Sequence, residues 1–525
     1  MNFARDILDA APPSRLALVE LSREGARREW TFGELANRAA RLASALRARG
    51  VGRGDVVMTL IGNRPDWVLA MLACFRLGAV VLPCTEQLRA KDLRLRLRVA
   101  RPSLIIADER NRRELERALG GGEDVLKTGG PRARAYARAG HAIAMDDAVA
   151  SGPPGTDVLY VPDEDLYAAD PAPAVELSAD DPCLITFTSG TAGEPKAVLH
   201  AQRYLLGQRL QAGHWLGPRE GELVWCTAAS GWSKSARNVF IAPWLAGAAA
   251  LLHDARFDPH ERLALLESER VNVLCMAPTE YRVIAKRTTL RPFPDLRGMV
   301  AAGEALNPEV LGAWREVTGL EIRDGYGQTE TGQLTGVPLG EAARPGSMGR
   351  ALPGVALEVR EGELTADPLT VPTFFLGYLH EQVRRTGEGS WEIEDRRAQG
   401  RWHTGDRVHE REGWLYFEGR GDDVIVSAGY RIGPFEVESA LVSHPAVAEA
   451  AAVAAPDEER GAVVRAVVVL RDPERTPPSA ELARELQEHV RRDTAPYKYP
   501  RIVDFVADLP KTASGKIRRA ALRGS

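Results

Sequence analysis

Apolar and polar positions along the first hundred residues alternate between two periods. Leu35, Ala39, Leu42 and Leu46 recur three or four residues apart, the repeat of a helix with one buried face, and Thr31-Phe-Gly-Glu34 ahead of them has the form of a capping box. Gly50 closes that helix, and the run Asp55-Val-Val-Met-Thr-Leu60 predicts a buried strand. A second helix through Trp67, Leu69 and Phe75 leads to a strand at Ala79-Val-Val-Leu82, and further strands are expected at Ser103–Ala107, Cys183–Thr188, Val271–Met276 and Met299–Ala302. Strands separated by helices imply an α/β fold of mainly parallel sheets covered on both faces.

The pattern fades between Gly120 and Asp180. Gly120-Gly-Gly122, Gly129-Gly-Pro131 and Gly152-Pro-Pro-Gly155 punctuate this stretch, which reads as a loop-rich surface excursion. The charged stretch from Arg384 to Gly400 also reads as irregular. Beyond Gly419 a short αβ block begins, with a strand at Val463–Leu470 and a helix opening at Ser479 whose buried face is Leu482, Leu486 and Val490. The expected division is residues 1–419 and 420–525, the second block being large enough for a small domain. No internal repeat is present.

Composition narrows the function. The 525 residues are 44% hydrophobic and 27% charged with a net charge of −4, which offers nothing to nucleic acid or to an anionic membrane. The five cysteines contain no CxxC pair, against a zinc site or a disulfide framework. Met1 to Arg15 lacks a basic patch followed by an apolar core, and the most apolar stretch, Val68 to Pro83, is interrupted by Arg76 and too short to span a bilayer. A cytoplasmic enzyme is expected, and assembly as a homo-oligomer is compatible with this composition. Only eight of the 68 basic residues are lysine: 91, 127, 196, 234, 286, 498, 511 and 516. A chain that prefers arginine so strongly keeps lysine where a compact, flexible ammonium is required.

The strongest local signal is Thr188-Ser-Gly-Thr-Ala-Gly-Glu-Pro-Lys196, directly after the strand pattern. Its glycines let backbone approach an anion, and its hydroxyls and ammonium suit phosphate oxygens. The spacing is not that of a Walker A loop. Five further signatures follow in order: Gly303-Glu-Ala305, Tyr326-Gly-Gln-Thr-Glu330, His403-Thr-Gly-Asp406, Gly419-Arg-Gly-Asp-Asp423 with Gly429-Tyr-Arg431, and Pro510-Lys-Thr-Ala-Ser-Gly-Lys516. In this order they resemble the adenylate-forming superfamily of acyl-CoA synthetases, peptide-synthetase adenylation domains and luciferases, over essentially the whole chain.

That resemblance implies a large N-terminal domain with a β subdomain and a small mobile α+β C-terminal domain. It implies a ligase that joins a carboxylic acid to ATP with Mg²⁺, releases pyrophosphate and passes the acyl group to coenzyme A. Thr188, Ser189, Gly190, Thr191, Gly193 and Lys196 would bind the phosphates, with Ala192 replacing the usual hydroxyl residue. Gly303, Glu304, Ala305, Tyr326, Gly327 and Thr329 would surround the adenine, for which Tyr326 offers an aromatic face. Glu330 would ligate Mg²⁺, Asp406 would accept from the ribose hydroxyls, and Arg420 would contact the nucleotide. Lys516 would be the catalytic ammonium that bridges the attacking carboxylate and the α-phosphate. Asp422 is at the hinge position, and Gly429 and Arg431 would line the channel for the thiol.

Ser230-Gly-Trp-Ser-Lys-Ser235, Ala242-Pro-Trp-Leu-Ala-Gly247 and Leu82-Pro-Cys-Thr-Glu-Gln-Leu-Arg-Ala-Lys-Asp92 look most like the medium-chain acyl-CoA synthetases, with Trp232 lining the acyl pocket. The acid is then medium-chain, branched or aromatic, an expectation tied to fatty acid metabolism. Because the chain runs only a short way past Lys516, free CoA is the expected acceptor and a separate carrier protein the alternative. A non-catalytic nucleotide or acyl-CoA sensor is the rival of another class, and Lys516, Glu330 and Asp406 argue against it.

Overall fold

Thr31 opens the first long helix, Phe32–Arg47, through a complete capping box: its side chain accepts from Glu34 N, and the Glu34 side chain accepts from Thr31 N. The computed structural model describes residues 1–120, 156–188, 194–303, 308–387, 389–421, 423–428, 430–512 and 516–523; the side chains of residues 308, 309 and 431 are not among those described.

Two seven-stranded sheets form the body. One runs in the order Ile322–Gly325, Gly298–Ala302, Val273–Met276, Leu223–Cys226, Ala249–His253, Leu16–Leu21 and Arg27–Thr31, parallel except for its last pair. The other runs Gly377–Tyr378, Ala197–Ala201, Pro182–Phe187, Val80–Cys84, Val56–Leu60, Leu104–Asp108 and Asp157–Val161, parallel from Pro182–Phe187 onward. The expected strands are therefore present, shifted at their ends by one or two residues.

Helix Pro65–Leu77 explains the most apolar stretch of the sequence. All its residues except Asp66 are buried, in a core shared with Phe32–Arg47 and with strands of both sheets. Such a helix has no polar face because packing surrounds it. Among the described residues, no helix is long and apolar enough to cross a membrane.

Two readings of the sequence are corrected. The excursion from Gly120 to Asp180 contains the strand Asp157–Val161, which pairs in parallel with Leu104–Asp108 at the sheet edge; residues 121–155 lie outside the described residues. An edge strand with only Val161 buried carries too little apolar pattern to stand out among glycines and prolines. The stretch from Arg384 to Gly400 holds an antiparallel hairpin, Val383–Gly387 with Ser390–Ile393, tied to the body by Trp391 Nε1 donating to Gly54 O at 2.8 Å.

A four-stranded antiparallel sheet, Leu357–Arg360, Glu363–Ala366, Trp402–Arg411 and Trp414–Arg420, follows the body. Beyond it, Val447–Asp457 and Gly461–Leu470 form a long hairpin joined in parallel by Ile502–Phe505. Helices Pro434–Ser443 and Ala480–Asp493 cover it, the latter capped by Ser479 and burying Leu482, Leu486 and Val490.

Candidate nucleotide and acyl site

The chemistry-bearing segments converge because parallel strands bring their carboxyl ends to one edge. Thr188 follows Pro182–Phe187, Gly303 follows Gly298–Ala302, Tyr326 follows Ile322–Gly325, and Ala277 follows Val273–Met276. In the first sheet the strand order reverses at Leu223–Cys226, where the chain next adds Ala249–His253 on one side and later Val273–Met276 on the other. Such a reversal opens a crevice at the carboxyl ends of the flanking strands.

The neck of the phosphate loop is closed by two hydrogen bonds, Thr188 N to Lys196 O and Lys196 N to Thr188 Oγ1, both 2.9 Å. Ser189, Gly190, Thr191 and Gly193 lie outside the described residues. Lys196 Nζ donates to Glu381 Oε1 at 2.9 Å and sits 4.5 Å from the centre of the Tyr378 ring. The Tyr378 hydroxyl donates to Glu330 Oε1 at 2.6 Å. Tyr378 thus links the expected phosphate ammonium to the expected metal carboxylate. No motif flagged it; it arrives through Gly377–Tyr378 pairing with Ala197–Ala201.

Gly327 pairs with Gln333 and Gln328 with Gly332 in a short hairpin that follows Tyr326 and carries Glu330 in its turn. A methyl group on Gly327 would lie 1.9 Å from Gly332 O, so the turn admits no side chain there. The Thr329 backbone faces the buried His200 ring. Tyr326 is half-buried and its hydroxyl donates to Asp406 Oδ2. Gln328 Nε2 donates to the same oxygen and to Thr404 O, both at 2.8 Å, while Trp402 Nε1 donates to Gln328 Oε1 at 2.9 Å. Arg420 NH1 stands 3.7 Å from Asp406 Oδ1.

Asp406 is 4% exposed. Burial lifts its carboxyl above the usual range, and Tyr326, Arg420, Gln328 and Lys516 pull it partly back. Lys516, from the far end of the sequence, is near enough for its charge to act on Asp406. It stands half-buried, its O accepting from Thr512 N at 2.8 Å and its N donating to Thr512 Oγ1 at 3.2 Å. After Arg420, Gly421 N donates to Gly405 O at 2.8 Å. Asp422 and Gly429 lie outside the described residues. Arg431 pairs through its backbone with Val426.

Gly303, at φ +104, ends its strand 3.3 Å, measured from an added methyl, from Lys234 Nζ; Glu304 and Ala305 lie outside the described residues. Behind it a pocket of about 260 Å³, its open mouth included, is lined by Cys226, Trp232, Lys234, Cys275, Met276 and Ala302, among others. Trp232 is in this pocket wall. Lys234 Nζ donates to Ala302 O at 3.1 Å. Glu280, also in the wall, accepts from Thr227 Oγ1 and Ala277 N.

Asp324 was not singled out in the sequence. It sits one turn of chain before Tyr326, and burial pushes its carboxyl up to about 8 although its own Gly325 N–H donates to it at 2.8 Å. Its signal was available: a lone acid at the end of an otherwise buried strand.

Comparison with known proteins gives a consistent result. Residues 7–372 match the family described as AMP-binding enzyme, and residues 436–516 match the AMP-binding enzyme C-terminal domain. The human protein named acyl-coenzyme A synthetase ACSM4, mitochondrial, is 36% identical over 99% of this chain and 90% of its own. An uncharacterized acyl-CoA ligase YtcI of Bacillus subtilis is 36% identical over 98% of this chain and 94% of its own. Among solved structures, the anthranilate CoA ligase AuaEII in complex with anthranoyl-AMP superposes with TM-score 0.81 at 26% identity, over 100% of this chain and 97% of its own. A benzoate CoA ligase from Burkholderia xenovorans does so with TM-score 0.80 at 27% identity, over 100% of both chains.

Proposed function

From the premise that the chain belongs to the family of AMP-binding enzymes, we propose how its residues divide the work of an acid–thiol ligase. The enzyme is an AMP-forming acyl-CoA synthetase that uses ATP, Mg²⁺ and CoA. In the first half-reaction an oxygen of the acid attacks the α-phosphorus of ATP and pyrophosphate leaves. In the second, the thiol sulfur of CoA attacks the acyl carbon of the adenylate, AMP leaves, and the thiol proton is released.

Asp406 accepts from the ribose hydroxyls. The Tyr326 ring takes the adenine, with Gly303, Glu304, Ala305, Gly327 and Thr329 around it and Arg420 alongside. Thr188, Ser189, Gly190, Thr191, Gly193 and Lys196 hold the phosphates. Glu330 would hold Mg²⁺, a hard carboxylate oxygen being a ligand such an ion takes alongside phosphates and water. When bound, the ion neutralises charge on the phosphates; Tyr378 orients the Glu330 carboxylate for it.

Lys516 is the ammonium that stabilises charge as two anions meet. The observation that carries this reading is that its charge is felt at Asp406, on the nucleotide. The second half-reaction needs that lysine withdrawn, so residues 420–525 move as a unit against 1–419 about Asp422, and Gly429 and Arg431 then line the path of the thiol. The acid, medium-chain, branched or aromatic, lies against Trp232. The enzyme acts in the cytoplasm on small molecules.

The test is pyrophosphate release from Mg·ATP over a panel of short, medium, branched and aromatic acids, with and without CoA. Acid-dependent release that becomes multiple-turnover with CoA is expected. Release indifferent to CoA would point to a carrier protein, and no release with any acid would overturn the reading.

A further inference from the structure

Arg237 lies three residues beyond Lys234, on the segment that carries Trp232, and opens the helical turn Arg237–Ile241. Its side chain is 5% exposed, yet Nε and NH1 have no hydrogen-bond partner, and among the described residues no carboxylate pairs with it. Its position is bracketed on two sides. A methyl group on Gly332 would lie 3.5 Å from Arg237 NH1, beneath the hairpin that follows Tyr326 and carries Glu330. On the other side its charge reaches Cys275 in the pocket wall.

The surroundings favour an anion. His200 is fully buried, both its ring nitrogens lack partners, and its ring stacks 4.1 Å from that of Tyr204. Burial, with the Arg203 and Arg237 charges, keeps the imidazole neutral, down to about 3. A neutral imidazole beside a guanidinium supplies a donor without adding repulsion. Lys234, three residues before Arg237, is the cation in the pocket wall itself. The one acid there, Glu280, is already held by Thr227, Ala277 and Arg262. Tyr204 engages this guanidinium, but with Nε and NH1 unsatisfied and no carboxylate beside it among the described residues its burial is unfavourable, and its planar fork matches a carboxylate oxygen for oxygen.

We propose that the acid this enzyme activates carries a second carboxylate, bound by Arg237 at the inner end of the pocket with Lys234 and His200 alongside, so that the product is the mono-CoA thioester of a dicarboxylic acid. This rests on the ligase reading above and narrows its substrate class: the body of the acid lies against Trp232, and its far end is anionic.

The experiment measures CoA-dependent AMP release for straight-chain diacids of three to eight carbons, matched monoacids and matched ω-hydroxy acids. At least one diacid is expected to exceed its matched monoacid in kcat/KM by about 10-fold or more, and Arg237→Met should lower that ratio by about 100-fold, because a site built for a charged group discriminates strongly. The variant's melting temperature without acid should not fall, since no native ion pair is broken. Arg237→Lys, which keeps the charge without the fork, should give an intermediate ratio and carries the test should the methionine variant not fold. A wild-type preference for monoacids, hydroxy acids used as well as diacids, or a ratio unchanged in both variants overturns the proposal and leaves the ligase standing. No AMP release with any acid overturns the ligase reading and this one with it.

Discussion

Tyr326→Phe removes one oxygen and keeps the ring, which separates the two roles given to this residue. Asp406 is 4% exposed, and its Oδ2 accepts from the Tyr326 hydroxyl and from Gln328 Nε2 at 2.8 Å. Burial already raises this carboxyl above the carboxylate range, and the Tyr326 donor is the largest of the influences holding it down. A hydrogen bond to a charged group contributes about 1.5–3 kcal/mol. Its loss therefore lifts the Asp406 carboxyl further in the direction burial already pushes it.

Two opposite pH trends follow. The ribose needs the ionised carboxylate, so the acid limb of kcat/KM for ATP should move to higher pH, with a loss of about 10- to 100-fold at its foot that fades as pH rises. Stability behaves the other way. A carboxyl whose folded pKa is raised above its unfolded value contributes most below the unfolded pKa, and that contribution is lost as pH rises through the folded pKa. The variant's melting deficit should therefore grow toward alkaline pH. The assay is pyrophosphate release at limiting ATP across pH, paired with melting curves in the same buffers. An unmoved acid limb with equal loss at every pH would show that the hydroxyl only packs, and would refute the argument.

Lys516→Ala should nearly abolish adenylate formation and leave thiolation of supplied acyl-AMP largely intact; equal loss in both half-reactions would refute its assigned role. Gly429→Leu should do the reverse, slowing only the thiol step, and normal CoA turnover would remove that residue from the channel. Tyr378→Phe deletes the 2.6 Å bond to Glu330 Oε1. At about 1.5–3 kcal/mol for a bond to a charged group, the Mg²⁺ concentration giving half-maximal rate should rise by about 10-fold or more, and an unchanged Mg²⁺ requirement in a variant of normal melting temperature counts against the link.

Local pattern alone determined a good part of this protein. Thr31 and Glu34 capped their helix as their spacing requires, Leu482, Leu486 and Val490 turned inward together, and the buried strands lay within a residue or two of their apolar runs. These features depend on periods of 3.6 and 2 within one segment, which a single sequence displays directly. The order of the short motifs carried the family in the same way. Asp157–Val161 escaped because a half-exposed edge strand needs little apolar pattern once its neighbour Leu104–Asp108 supplies the hydrogen bonds.

Only the tertiary structure could decide which side chains meet. Tyr378 finds Glu330, and Gln328 and Tyr326 share one oxygen of Asp406, because separate strands end at a common edge. Arg237 reads in the sequence as one more arginine among many. Its meaning comes from being buried beneath Gly332 with Nε and NH1 unsatisfied, a condition set by the packing of His200, Tyr204 and the Gly327–Gln328 hairpin around it. Burial and desolvation are properties of the assembled interior, so they turn an ordinary charge into a recognition element only once the chain has folded.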